Sequence, residues 1–282
     1  MKLARIGAPG REIPVLVDAQ GAFRDLRRVV DDITPATLTD ETLARLSAVD
    51  LSSLPVIEGE QRYGAPVAGV GKFIAIGLNY SDHAAEANMP IPKEPIVFSK
   101  ATTCIQGPND PVMLPRDSRK TDWEVELGVV IGRRARYVEI DEALDYVAGY
   151  CTINDVSERE YQLERGSQWD KGKGCDTFGP IGPWLVTRDE VPDPQNLSMW
   201  LEVNGQREQT GNTKTMIFSV AEIVSHLSQF MTLLPGDVIT TGTPPGVGMA
   251  KSPPQFLQTG DRITLSIEGL GDQSQTVVAF ER

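Results

Sequence analysis

Residues Asp122–Gly132 read DWEVELGVVIG, an apolar run typical of a strand, interrupted near its start by carboxylates. Side chains at i and i+2 of a strand share a face, so Glu124 and Glu126 point the same way, with Cα atoms about 7 Å apart. Two neighbouring carboxylates in an apolar strand repel each other and lose hydration unless a cation sits between them. A hard divalent ion, Mg²⁺ or Mn²⁺, suits oxygen ligands of this kind. The same spacing also fits a solvated face with Val125 and Leu127 turned inward.

Similar short runs recur outward from this stretch: Lys2–Ile6, Ile13–Val17, Phe73–Ile76, Ile96–Phe98, Gly149–Ile153, Trp184–Val186, Met199–Val203, Asp237–Thr240 and Arg262–Ile267. Few helices separate them. The clearest is Val220–Phe230, opened by Ser219 with Glu222 three residues later, a capping box; a second helical stretch runs from about Thr39 to Ala48. Strands that do not alternate with long helices argue against a doubly wound parallel sheet. The pattern predicts an α+β, mostly β fold with mixed strands. Residues 1–65 read as a small N-terminal α/β domain and residues 66–282 as the main domain. The Gly/Pro-rich GAPVAGVGK (Gly64–Lys72) reads as the linker between them.

Composition narrows the function. The chain has 282 residues, 40% hydrophobic and 23% charged, which is the profile of a soluble globular protein. Its net charge of -12 disfavours nucleic acid and anionic membrane as partners. An anionic substrate would need a metal, or local Lys and Arg, to reverse the field. The 3 cysteines have no CxxC spacing, so neither a disulfide framework nor a zinc site is expected. The N-terminus lacks a signal-peptide run and no apolar run approaches a membrane span, so a cytoplasmic location is expected.

Other candidate residues stand in short local contexts. Asp155 follows the strand-like Gly149–Ile153 and reads alone as a turn or N-cap residue. Of the 2 histidines, His226 lies inside the capped helix and reads as structural. His83 sits in a short helical stretch that Asn79 or Ser81 could cap, with Glu86 one turn on. A carboxylate bonded to an imidazole fixes its tautomer and raises its basicity, as a general base requires; an exposed i,i+3 pair is the plainer reading. The segment Ser81–Pro92, a short helix followed by two prolines, is expected to be poorly anchored and to close over bound ligand. Lys173 lies among glycines and could bind a carboxylate or an enolate, or simply face solvent. TGTPPGVG (Thr241–Gly248) follows an apolar strand and suggests an anion-cradling loop, but lacks the ending of a Walker motif.

Taken together and in order, GLNYSDHAAE (Gly77–Glu86), DWEVELGVVIG, INDVSEREYQ (Ile153–Gln162), KGKGCDTFGPIGP (Lys171–Pro183) and GDVITTGTPPGVG (Gly236–Gly248) resemble the fumarylacetoacetate hydrolase family. The resemblance runs from about Gly69 to the C-terminus. It implies a mixed β-sandwich or roll, a homodimer, and Mg²⁺- or Mn²⁺-dependent chemistry on small oxo acids. By position it implies Glu124, Glu126 and Asp155 as metal ligands, His83 and Glu86 as a water-activating dyad, and Lys173 beside metal and substrate. It further implies Thr177 in the metal's outer shell, Arg159 and Gln162 as substrate contacts, and Thr243 as holder of the substrate carboxylate. The long N-terminal domain of the animal fumarylacetoacetate hydrolases has no counterpart here. Within the family, the run from Lys120 to Leu197 looks most like bacterial 2,4-diketo-3-deoxy-L-fuconate and 2,4-diketo-3-deoxy-L-rhamnonate hydrolases. That implies cleavage of a 2,4-diketo acid to pyruvate and L-lactate. Acylpyruvate hydrolysis and oxaloacetate decarboxylation use the same chemistry, and a non-catalytic oxo-acid-binding protein is a third possibility.

Overall fold

A computed structural model describes residues 1–281. The strand Val125–Ile131 lies in an 11-stranded mixed sheet. It runs antiparallel to Val147–Asn154, with Val125 opposite Asn154 and Glu126 opposite Ile153. On its other side Val238–Thr240 pairs only with Gly128, Val129 and Val130. The end that carries Glu124 and Glu126 therefore has a single strand neighbour, and its other side meets the loop that follows Val238–Thr240. Phe73–Gly77 runs parallel to Val238–Thr240, so the C-terminal ends of Phe73–Gly77, Val147–Asn154 and Val238–Thr240 lie at that end of the sheet.

Both faces of the sheet are covered, and every residue of Val125–Ile131 is buried. On one face Val125, Leu127 and Val129 pack with Leu201, Leu265 and Ile267 of a five-stranded sheet and with Ile223 and Leu227 of the helix Val220–Phe230. On the other, Val130 and Ile153 share a core with Leu3, Leu26, Leu38 and Leu46. Each such aliphatic side chain contributes about 1.5–3 kcal/mol by leaving water. The architecture is the mostly β, mixed-strand fold that the strand pattern predicts, arranged as the sandwich that the family resemblance implies.

The capped helix spans Val220–Phe230, with Ser219 Oγ accepting from the Glu222 amide and Glu222 returning a bond to Ser219. Residues 1–65 extend the central sheet, because Lys2–Ile6 pairs antiparallel with Gly179–Thr187. Val67, within the Gly/Pro-rich stretch, is buried in the shared core. The run Trp184–Val186 is the end of a longer strand, Gly179–Thr187. Two strands of the five-stranded sheet, Gln206–Asn212 and Gly271–Val278, are too polar to stand out in the sequence. Among the described residues no helix is long and apolar enough to cross a membrane.

Candidate active site

Glu124, Glu126 and Asp155 come together at this end of the sheet, each offering an oxygen within 4.8 Å of the others. The alternative of a solvated strand face is overturned, since all three are buried. Backbone geometry fixes the grouping: the Asp155 amide donates to the Glu124 carbonyl at 2.9 Å, and Asn154 Oδ1 accepts from the Glu124 amide at 3.2 Å.

Charge is balanced unevenly within the cluster. Lys173, expected either in a solvated loop or at a site, is buried; its Nζ lies 2.7 Å from Glu124 and 2.8 Å from Asp155. Lys100 Nζ, also buried, lies 2.5 Å from the other Asp155 oxygen and donates to the carbonyl of Lys173. Arg159 Nη2 lies 2.7 Å from Glu124 and 2.8 Å from Asp122, and its Nε donates to Asp122 at 2.9 Å. Burial opposes ionisation of Glu124, but Lys173 and Arg159 outweigh it and hold its carboxyl well below the usual range. Burial likewise opposes the charge on Lys173, and Asp155 and Glu124 reverse that effect and raise its pKa.

Glu126 has no such cation. Its bonds come from neutral donors, Thr240 Oγ1 and the Gly242 amide. Burial, then repulsion from Asp155 and Glu124, push its pKa well up. The buried groups in contact here are four carboxylates (Asp122, Glu124, Glu126, Asp155) against three cations (Lys100, Arg159, Lys173). A divalent ion at the shared oxygens would supply the counter-charge that Glu126 lacks, and hard oxygen donors in this arrangement suit Mg²⁺ or Mn²⁺.

The cavity above these carboxylates has a volume of about 150 Å³ and brings His83, Arg159, Gln162, Lys173 and Thr243 to one space with Glu124 and Glu126. His83 Nδ1 lies 3.0 Å from Glu86 Oε2. The helix Ser81–Glu86 that carries them is docked more firmly than its sequence suggests. Asp82 accepts from Thr215, Ser81 donates to the Thr215 carbonyl, and Glu86 accepts from the Gly246 amide at 3.0 Å. Neither Asn79 nor Ser81 caps it; Tyr80 occupies the N-cap. Asn79 instead bonds Phe218 and the Thr241 carbonyl, tying the base of the helix to two loops.

The loop Thr241–Gly248 does cradle anions, but they are the protein's own. Its amides at Gly242, Gly246 and Gly248 donate to Glu126, Glu86 and Asp122. The Thr243 hydroxyl donates to the Val125 carbonyl and accepts from Gln209 Nε2 at 2.8 Å, while Gln209 Oε1 accepts from the Val125 amide. These directions are forced, because a backbone amide can only donate and a carbonyl can only accept. The one proton of Thr243 is therefore committed to the backbone between the two glutamates. His226 stacks edge-on against Phe230, ring centroids 4.8 Å apart, on its own helix and outside the cavity lining. Thr177 also stays outside that lining, and its hydroxyl accepts from the Met113 amide at 2.8 Å.

Sequence reasoning missed Lys100, Asp122 and Gln209. Lys100 ends a strand otherwise read only for its apolar residues, and Gln209 lies on one of the polar strands. Asp122 opens the stretch that decides the fold, and its carboxylate collects the Gly248 and Met249 amides as well as Arg159.

Comparison with known proteins gives the chain a family. A Burkholderia cenocepacia relative, named only provisionally, as a hydrolase, is 63% identical over 98% of both chains. The solved structure of a fumarylacetoacetate hydrolase from Exiguobacterium antarcticum superposes with a TM-score of 0.89 at 36% identity, covering 99% of this chain and 100% of that one. Maleylpyruvate hydrolase from Sphingobium sp. SYK-6, solved in complex with manganese(II) and pyruvate, superposes at 0.83 with 28% identity over 100% of each chain. The family model described as fumarylacetoacetate (FAA) hydrolase C-terminal matches residues 72–278, and the chain belongs to the fumarylacetoacetate hydrolase family.

Proposed function

We propose that this protein is a Mg²⁺- or Mn²⁺-dependent hydrolase that cleaves the C3–C4 bond of a small 2,4-diketo acid. The substrate class we favour is 2,4-diketo-3-deoxy-L-fuconate, which is the same compound as the L-rhamnonate derivative once C4 is oxidised. Its products would be pyruvate and L-lactate. The observation that carries the reading is a single compact cavity that joins a buried carboxylate cluster to a histidine–carboxylate pair. A protein that only bound oxo acids would have no use for that pair.

A divalent ion held by Glu124, Glu126 and Asp155 would act as a Lewis acid toward the substrate's C1 carboxylate and C2 ketone. His83, its Nδ1 bound to Glu86, uses the remaining ring nitrogen to take a proton from the water that adds to C4. The C3–C4 electron pair leaves with C3 as the enolate of pyruvate, and C4 becomes a carboxylic acid. Protonation at C3 completes the pyruvate. Lys173 has three N–H donors, of which Glu124 and Asp155 engage two; the third is free for the developing oxyanion. With the Thr243 hydroxyl committed, a substrate carboxylate beside it would rely on other donors.

The neighbouring maleylpyruvate hydrolase favours acylpyruvate hydrolysis as the second reading, since it is crystallised with Mn²⁺ and the product that reaction shares. A pyruvate-release panel decides. Acylpyruvates, oxaloacetate and 2,4-diketo-3-deoxy sugar acids are each assayed with and without Mg²⁺ and Mn²⁺. Metal-dependent release from diketo acids is expected; release from oxaloacetate alone would make the protein a decarboxylase, and no release at all would sink the enzyme reading.

A further inference from the structure

The cavity has two chemically distinct walls. Both Arg159 and Lys173, the lysine and arginine of the lining, are held on its carboxylate side: Arg159 by Asp122 and Glu124, Lys173 by Glu124 and Asp155. The rest of the lining is largely apolar and includes Leu78, Met89, Phe98, Leu163 and Trp169. Trp169 stacks edge-on against Phe98 with ring centroids 5.4 Å apart. Phe98 in turn lies under the Lys173 ammonium, 5.2 Å from Nζ to ring centroid, so it marks the boundary between the walls.

Gly77 fixes where Trp169 lies. A Cβ at position 77 would sit 2.4 Å from Trp169 Cζ3, so only glycine lets the indole close down on the strand end. Met89 and Leu163 are about half exposed, at 50% and 45%, and form the mouth. The enclosed volume, about 150 Å³, is well below the roughly 300 Å³ at which pockets for larger ligands begin. A carboxylate placed against the apolar wall would lose hydration and gain no partner, a cost that a neutral tail avoids.

We infer that Trp169, with Leu163 and Met89 at the mouth, selects diketo acids whose acyl tail is short and uncharged, and discriminates against tails that carry a second carboxylate. The inference rests on the proposed reaction for the identity of the head group. It assigns this chain a narrower substrate class than that of its maleylpyruvate-cleaving neighbour, whose substrate ends in a carboxylate.

The test pairs binding with turnover. Calorimetry in the presence of Mn²⁺ compares 2-oxohexanoate with 2-oxoadipate, which share a head group and chain length and differ in the tail charge. Neither contains a 4-oxo group, so neither is cleaved. Wild-type protein should bind 2-oxohexanoate about tenfold more tightly or better. Leu163→Arg, at an exposed position, supplies a cation to the mouth and should narrow or reverse that ratio. In turnover, acetylpyruvate should exceed hexanoylpyruvate in kcat/KM, and Trp169→Ala should improve hexanoylpyruvate relative to acetylpyruvate by about tenfold. If acetylpyruvate is cleaved but both oxo acids bind equally, the tail assignment is wrong and the reaction stands. If no acylpyruvate is cleaved, the reaction itself falls and takes the tail assignment with it.

Discussion

Asp155 and Glu86 both serve the cavity, and they are held in opposite ways. Asp155 is fully buried, its two oxygens capped by Lys100 and Lys173. Glu86 keeps 28% of its side chain exposed and is held by one imidazole and one loop amide. The floor is built from contacts that are costly to break singly, because removing one partner of a buried ion pair strands the other. The lid is a six-residue helix, Ser81–Glu86, with one buried residue and a few polar ties to the Thr215 and Gly246 loops. In the proposed reaction a rigid floor would fix ligand geometry, and a lid with fewer ties would open for substrate and close to bring the base to the water.

Variants can break this contrast, beginning with the floor. Glu126→Ala should abolish detectable turnover, a loss of about 10²–10³-fold or more, while leaving the protein folded by circular dichroism. Lys100→Met should destabilise the protein by about 3–5 kcal/mol, read as a lowered denaturation midpoint. A midpoint within experimental scatter of wild type would mean that the floor is no more tightly built than the lid.

The lid should respond differently. Glu86→Gln keeps the amide contact to Gly246 within reach but weakens the base. It should lower kcat by about 10- to 100-fold with little change in the melting temperature; an unchanged kcat would remove the dyad from the mechanism and leave Lys173 as the better candidate for activating water. The smallest effect belongs outside both regions. His226→Ala should leave turnover nearly unchanged and stability within about 0.5 kcal/mol, and a loss matching that of Glu126→Ala, with the fold intact, would mean the wrong histidine had been assigned.

The contrast also explains what could be read from the sequence. Val220–Phe230 and Val125–Ile131 are locally self-consistent, with a capping box on one and a largely apolar run on the other. The site motifs are likewise each short and local. What escaped reading depends on distant partners. Lys100 meets Asp155 across 55 residues, and Gln209 meets Val125 across 84. Gly271–Val278 alternates buried and exposed positions, but Gln273 and Gln275 fill two of the buried ones, so hydropathy hides the period. These glutamines are satisfied by Thr152, Gly182 and Pro108 carbonyls, contacts that only the assembled sandwich supplies. The docking of the lid was missed for the same reason, since its anchors lie on loops more than 130 residues away.

The most direct test of a metal-holding floor beneath a separate catalytic lid is a calorimetric Mn²⁺ titration of wild type, Glu126→Gln and Glu86→Gln. Wild type and Glu86→Gln should bind one equivalent with similar affinity, and Glu126→Gln should bind far more weakly. Wild-type affinity in Glu126→Gln, or equal loss in both variants, would contradict the account.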